Sequence, residues 1–168
     1  MLVVADPVSP RDFDDIRALA RAFRDFLATL PPPDDVVVTY AYQPEAYEEI
    51  LSRIETLHAP PRGALKLARL NGAAVGCGMM QTISPGVAEI KRVFVADTAR
   101  GTGAGRAVMQ ALIDEARGLG FHRVCLDTAR VLTSARHLYP AVGFRECAPY
   151  WPAPPHLAER LVFFEMDL

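Results

Sequence analysis

The sequence predicts a mixed α/β domain whose sheet is mostly antiparallel and flanked by helices. Three observations predict it. The first third carries apolar residues at steps of three and four, the period of an amphipathic helix. The middle carries short apolar runs separated by turn signals, the pattern of a strand meander. A glycine-rich turn at 100–106 then leads from a strand into a helix, and another strand follows, as in a β-α-β crossover. The chain has 168 residues, 51% of them apolar and 23% charged. That is enough apolar material to bury one core, so a single domain over 1–168 is expected.

The elements follow in order. Val3 and Val4 sit in a short apolar opening that suits a strand. Ser9-Pro10-Arg11-Asp12 reads as a helix start: serine caps, proline takes the first turn, and the acid favours the positive helix end. Phe13, Ile16, Leu19, Ala20, Phe23, Phe26, Leu27 and Leu30 then mark one core face, and Pro31-Pro32-Pro33 stops the helix. Residues 34–43 are ambiguous, with a strand-like Val36-Val37-Val38 between loop-like flanks. Pro44 opens a second helix with Tyr47, Ile50, Leu51, Ile54 and Leu57 on one side, ended by Pro60-Pro61. Ala64 to Leu70 reads as a strand, and Asn71-Gly72 as a type I′ hairpin turn, since both central residues must take positive φ. Ala73 to Ile83 returns, Ser84-Pro85-Gly86 turns, and Val87 to Val95 is a third strand. Arg106 to Leu119 reads as a helix stopped by Gly120. Val124 and Leu126 mark a strand, and Ser134 to Val142 a short helix ended by Gly143. Strand-like ends then flank an aromatic, proline-rich excursion, Tyr150-Trp151-Pro152-Ala153-Pro154-Pro155.

The net charge is −2, which argues against general nucleic-acid binding, because that draws its affinity from phosphate neutralisation. The charge is uneven, however. Residues 1–60 hold 5 basic and 11 acidic side chains, residues 61–168 hold 13 and 9, so the second part favours an anionic ligand. Cys77, Cys125 and Cys147 form no CxxC pair and read as reduced thiols, and the N-terminus lacks the features of an export signal. No apolar run reaches the ~20 residues that cross a bilayer. A cytoplasmic protein that binds neither membrane nor nucleic acid is therefore expected. The four histidines show no metal-ligand spacing, so no metal is expected.

The stretch richest in chemistry is Arg100-Gly101-Thr102-Gly103-Ala104-Gly105-Arg106. Its glycines let the backbone turn sharply and approach a ligand closely. The free N–H groups and dipole of the following helix suit phosphate. Neither the dinucleotide fingerprint G-x-G-x-x-G nor the Walker pattern fits this spacing.

The run Arg-x-x-Gly-x-Gly at 100–105 resembles the coenzyme A pyrophosphate loop of the GCN5-related N-acetyltransferases. Ala88-Glu89-Ile90-Lys91-Arg92-Val93-Phe94-Val95 is similar to that family's central strand, and Gly101 to Gly120 to its helix. Leu126-Asp127-Thr128, Leu138-Tyr139, Gly143-Phe144 and Glu165-Met166-Asp167-Leu168 resemble its later elements. The match spans about 64–168, and the two N-terminal helices more loosely.

The resemblance implies a splayed sheet, with acetyl-CoA wedged between two strands that diverge at a bulge near Val93 to Asp97, and a coenzyme-binding part over about 87–145. The backbone of Val93, Phe94 and Val95 would meet the pantetheine arm and acetyl carbonyl. The N–H groups of Gly101, Thr102, Gly103, Ala104, Gly105 and Arg106 would hold the pyrophosphate, with Arg100 and Arg106 as the nearest charges. Many family members carry an asparagine before the tyrosine helix. Here Ala129 to Ser134 contains none, leaving Thr133, Ser134 or no residue for that contact.

Acetyl transfer requires that an ammonium lose a proton, that the oxyanion find a donor and that the leaving thiolate be protonated. Tyr139 matches the family's tyrosine near the coenzyme sulfur and is the candidate acid. Glu89 matches the general-base glutamate of the histone-acetylating branch. Glu89 and Lys91 also share a strand face, so a base, an ion pair, and proton removal by water alone all stay open. Tyr40, Tyr42, Tyr150 and Trp151 fall in expected loops, where aromatics line an acceptor pocket or pack a rim. Cys125 alternates with apolar neighbours and is not expected to carry acetyl.

The expected activity is acetyl-CoA-dependent N-acetyl transfer, direct, to a primary amine of a small molecule or peptide. The acidic residues 1–60 would favour a cationic one. The alternatives are an acyltransferase using another acyl-CoA, or a CoA-binding sensor or interaction protein without turnover. A monomer or a homodimer, the latter pairing through the terminal strand, is compatible with the pattern.

Overall fold

The computed structural model describes residues 1–168. Strand β1 (Leu2–Ala5) leads into helix α1 (Pro10–Leu27), and three shorter helices follow: α2 (Val36–Ala41), α3 (Pro44–Ser52) and α4 (Ile54–Leu57). Strands β2 (Gly63–Leu70), β3 (Ala73–Ser84) and β4 (Val87–Val95) form the meander. Helix α5 (Ala104–Gly118), strand β5 (Arg123–Ala129), helix α6 (Thr133–Ala141), strand β6 (Arg145–Cys147), helix α7 (Pro155–Ala158) and strand β7 (Leu161–Asp167) complete the chain. The seven-stranded sheet has the order β1-β2-β3-β4-β5-β7-β6. Only β4 and β5 run parallel, joined by the crossover through α5.

Local chemistry explains the main boundaries. Ser9 caps α1 in a capping box: its side chain accepts from the Asp12 N–H, and the Asp12 carboxylate accepts from the Ser9 N–H. Arg69 on β2 ties α1 down through Asp12 at 2.7 Å and Asp15 at 2.6 Å. Asn71 (φ 50°) and Gly72 (φ 88°) take the left-handed conformation that the hairpin demands.

Two layers bury the sheet. On one face α5 contributes Val108, Met109, Leu112 and Ile113 to a core with Met80, Ile90, Leu126 and Phe164. Gly78 sits where an added Cβ would come within 2.7 Å of Val108, so the strand's lack of a side chain there admits the helix. On the other face α1 and α3 pack Ile16, Leu19, Tyr47 and Leu51 against Leu65, Leu67, Cys77 and Met79.

Four expectations are corrected. Val36-Val37-Val38 belongs to a helix, α2, despite its β-branched run. Val37 is buried against Leu157, Leu161 and Phe163, and that burial outweighs the weak local preference. Tyr40 accordingly lies in α2 and not in a loop. The helix opened by Pro44 breaks at Arg53, whose φ of −117° leaves the helical range, so α3 and α4 are separate. The terminal strand β7 pairs with β5 on one side and β6 on the other. Its central residues Phe163 to Glu165 are therefore paired on both sides, and the sheet edge there belongs to β6.

Candidate active site

The sheet opens at its centre. Parallel pairing of β4 with β5 runs from Val87↔Arg123 to Glu89↔Cys125 and stops there. On its other side β4 pairs with β3, and the register slips by one residue between Met79↔Lys91 and Cys77↔Phe94. The extra residue is taken up at Arg92, in the left-handed region at φ 51°. The bulge thus begins at Arg92, one residue before the expected segment. A bulge bends its strand and re-aims a side chain, and here the bent strand leaves its parallel neighbour. The gap is a cavity of about 560 Å³ between Ile90–Val93 and Leu126–Ala129, covered by residues of α1, α2 and α7.

The glycine loop lies at one end of the splay. Gly101 and Gly103 take φ of +78° and +86°, and a Cβ at either would meet no atom of the protein within 4 Å. The first helix N–H with an acceptor is that of Ala107, to the Gly103 carbonyl at 2.9 Å. The N–H groups of Gly103, Ala104, Gly105 and Arg106 find none and no side chain caps them. Free donors, the helix dipole and no Cβ in the way make a cradle that fits a pyrophosphate. Arg100 pairs with Asp97 at 2.7 Å and stacks over Phe26, and the Arg106 guanidinium donates to the Ala141 carbonyl at 3.3 Å. Both side chains stand exposed beside the loop. Phe94 turns its ring onto Phe23 of α1. Beyond Glu89 the edge of β4 that faces β5, from Ile90 to Val95, has no strand partner.

Tyr139 lines the cavity from α6, buried and edge-on to Phe144 and Phe164. Burial, with the charge of Asp127, pushes its phenol well above the usual range. It is therefore a neutral group that keeps its proton. Thr133 and Ser134 form the first turn of α6.

Glu89 and Asp127 share a face because Cys125 is level with Glu89 and Asp127 lies two residues on. The Tyr150 hydroxyl lies between them, 3.1 Å from Glu89 and 3.4 Å from Asp127. Gln81 donates to Glu89 at 3.2 Å, the Lys91 ammonium stands 3.5 Å from it, and the Trp151 indole donates to Asp127 at 2.7 Å. Burial raises the pKa of Asp127, and burial with the two carboxylates raises that of Tyr150. The Glu89–Lys91 contact expected from their spacing is present, within a larger network.

Sequence reasoning assigned no role to Asp127 or Arg92, and it named Tyr150 and Trp151 without their carboxylate partners. Asp127 stood in the sequence only as part of the strand segment Leu126-Asp127-Thr128, with no role of its own. Tyr150 and Trp151 stood out as aromatics, but their bonds to carboxylates depend on how residues 148–154 lie over the sheet. Arg92 was hidden by its bulge. Tyr42 also lines the cavity, with burial raising its phenol to about 12. Cys77 and Cys125 do not line it, and burial pushes their thiols up to about 12 and about 11, which leaves little thiolate at neutral pH.

The sequence profile of the acetyltransferase (GNAT) family matches residues 19–144, which span the splay, the glycine loop and Tyr139. The chain belongs to the GNAT acetyltransferase family. A protein named IAA acetyltransferase from Azospirillum brasilense is 32% identical over 137 residues, covering 77% of this chain and 90% of that protein. The structure of a GCN5-related N-acetyltransferase from Kribbella flavida is similar over 99% of this chain and 98% of that one, at 26% identity and a TM-score of 0.72. A GNAT acetyltransferase from Elizabethkingia anophelis, solved with acetyl-CoA bound, shares the fold at 18% identity and a TM-score of 0.61, over 99% of this chain and 98% of that one. This GNAT protein is an N-acetyltransferase built for acyl transfer from acetyl-CoA.

Proposed function

We propose that the protein transfers acetyl directly from acetyl-CoA to a primary amine of a small molecule or peptide. The observation that carries this reading is the splay of β4 from β5, with an anion cradle at one end and a carboxylate network inside it. Acetyl-CoA supplies the thioester. The N–H groups of Gly101 and of Gly103 to Arg106 hold its pyrophosphate, with Arg100 and Arg106 at the rim, whereas the expected Thr102 N–H is already donated to the Ala99 carbonyl at 3.3 Å. The unpaired edge of Val93, Phe94 and Val95 receives the pantetheine arm, and an N–H of the bulged strand faces the acetyl oxygen. This assigns coenzyme binding to about 87–145.

Glu89 takes a proton from the incoming ammonium, with Tyr150 relaying between Glu89 and Asp127. The amine lone pair forms the C–N bond, the C–S bond breaks, and Tyr139 gives its proton to the departing sulfur. The free state of all three cysteines supports a cytoplasmic location.

The test is thiol release from acetyl-CoA across a panel of amines, amino acids and peptide N-termini. Release with at least one acceptor is expected. Coenzyme binding with no release from any acceptor overturns the reading in favour of a coenzyme sensor.

A further inference from the structure

Four charged side chains line the cavity: Glu89, Lys91, Arg92 and Asp127. Three of them are accounted for by the network above. Arg92 is not. It is 9% exposed, its Nε is buried with no partner, and its guanidinium pairs with no carboxylate. Its polar contact is a distant one, from Nη1 to the Met79 sulfur at 4.0 Å. The guanidinium also lies over the Tyr47 ring at 5.5 Å, and that ring is held by the Tyr47 hydroxyl donating to the Ala20 carbonyl at 2.8 Å.

A buried arginine cannot escape its charge by losing a proton. Leaving a charge buried and unpaired is strongly unfavourable, and one face of a tyrosine offsets only part of that. The left-handed φ of Arg92 adds backbone strain. Both costs fall on one residue, at the bulge in the cavity wall. Such an arrangement makes sense where an anion arrives with the ligand.

We propose that Arg92 binds a carboxylate of the acceptor, so that the acceptor is an amine that also carries a carboxylate, as an amino acid does. The inference rests on the acetyl-transfer reading and narrows its acceptor. The planar fork of arginine matches a carboxylate in two parallel hydrogen bonds. The acids Glu89 and Asp127 are left for the ammonium end, so the cavity presents one unpaired cation and two acids to a zwitterion. Its remaining walls include Phe23, Tyr42 and Trp151, which suit an apolar or aromatic body. Phosphates of the coenzyme have their own donors at the glycine loop and do not compete for Arg92.

The experiment compares matched amino acids and their amides, with aromatic, aliphatic and polar side chains, as acceptors. In the side-chain class that turns over, the free acid should exceed its amide in kcat/KM by about 10- to 100-fold, the worth of a charge-assisted pair. Arg92→Gln should bring that ratio to within about threefold of one, and Arg92→Lys, with charge but no fork, should fall between. Separately, 3-phenylpropanoate, a carboxylate without an amine, should raise the Tm of the CoA-loaded enzyme, and Arg92→Gln should abolish the rise. Equal use of acid and amide by the wild type overturns the proposal, and so does an unchanged ratio in Arg92→Gln. Acetylation of amines with no carboxylate preference and no carboxylate binding leaves acetyl transfer standing and removes this inference. Carboxylate binding through Arg92 with no thiol release from any acceptor keeps the carboxylate site and removes acetyl transfer. If Arg92→Gln does not fold, the wild-type acid-to-amide ratio and Arg92→Lys decide.

Discussion

In the proposed mechanism Tyr139 and Glu89 divide the proton work between the two sides of the splay. Tyr139 sits among Phe144 and Phe164, where burial holds the phenol neutral, as a proton donor requires. Tyr139→Phe keeps the ring packing and removes only the hydroxyl. It should lower kcat by about 100-fold or more while coenzyme affinity holds. Stopped thiol release at saturating acetyl-CoA, with calorimetry for affinity, reads both quantities, and an unchanged kcat removes Tyr139 from the chemistry. Glu89 has two partners that a mere ion pair would not need, Tyr150 and Gln81. Glu89→Gln should therefore cut kcat by about 100-fold, whereas Lys91→Met, which breaks only the 3.5 Å pair, should leave kcat within a few-fold. Matching losses in the two variants would reduce Glu89 to an ion-pair partner.

The decisive elements are the bulged β4 and the turn into α5. The turn needs residues that tolerate positive φ, and the proposed coenzyme site needs them bare so that a phosphate can reach the helix N–H groups. Gly103→Val meets no protein atom at its new Cβ, so its cost comes from the +86° φ, on the order of 1–2 kcal/mol, and from a side chain placed where the ligand belongs. Coenzyme affinity should weaken at least about tenfold in titration calorimetry, and retained affinity would mean that the loop holds something other than the pyrophosphate. Legibility differed sharply between these two elements. The turn was readable because glycine at 101 and 103 has a local steric reason, the positive φ of the turn. The bulge position was not, because it depends on a one-residue slip against β3, and β3 lies elsewhere in the chain.

At the scale of the whole molecule, one buried group couples stability to pH. His58 follows α4 and is 2% exposed, with Nδ1 donating to the Met80 carbonyl at 2.9 Å and Nε2 unpartnered. Burial lowers its pKa from 6.5 to about 4. Between those values the unfolded chain binds the extra proton. The protein should therefore be fully stable above pH 6.5 and lose stability as the pH falls toward 4, by about 2 kcal/mol at pH 5. Urea unfolding at pH 7 and pH 5 measures this, and His58→Gln should flatten the difference. An equal acid loss in the variant would place the sensitivity elsewhere.

The sequence alone determined the class of the fold, the hairpin at Asn71-Gly72, the capped start of α1 and the glycine loop. Each of these rests on local sterics, periodicity or capping within a few residues. Only the tertiary structure decided that Val36 to Val38 are helical, that β7 lies inside the sheet, and that Asp127, Tyr150 and Trp151 join Glu89 beside an unpaired Arg92. Those outcomes depend on which segments bury one another and in what register, and both are set by contacts between residues far apart in the chain.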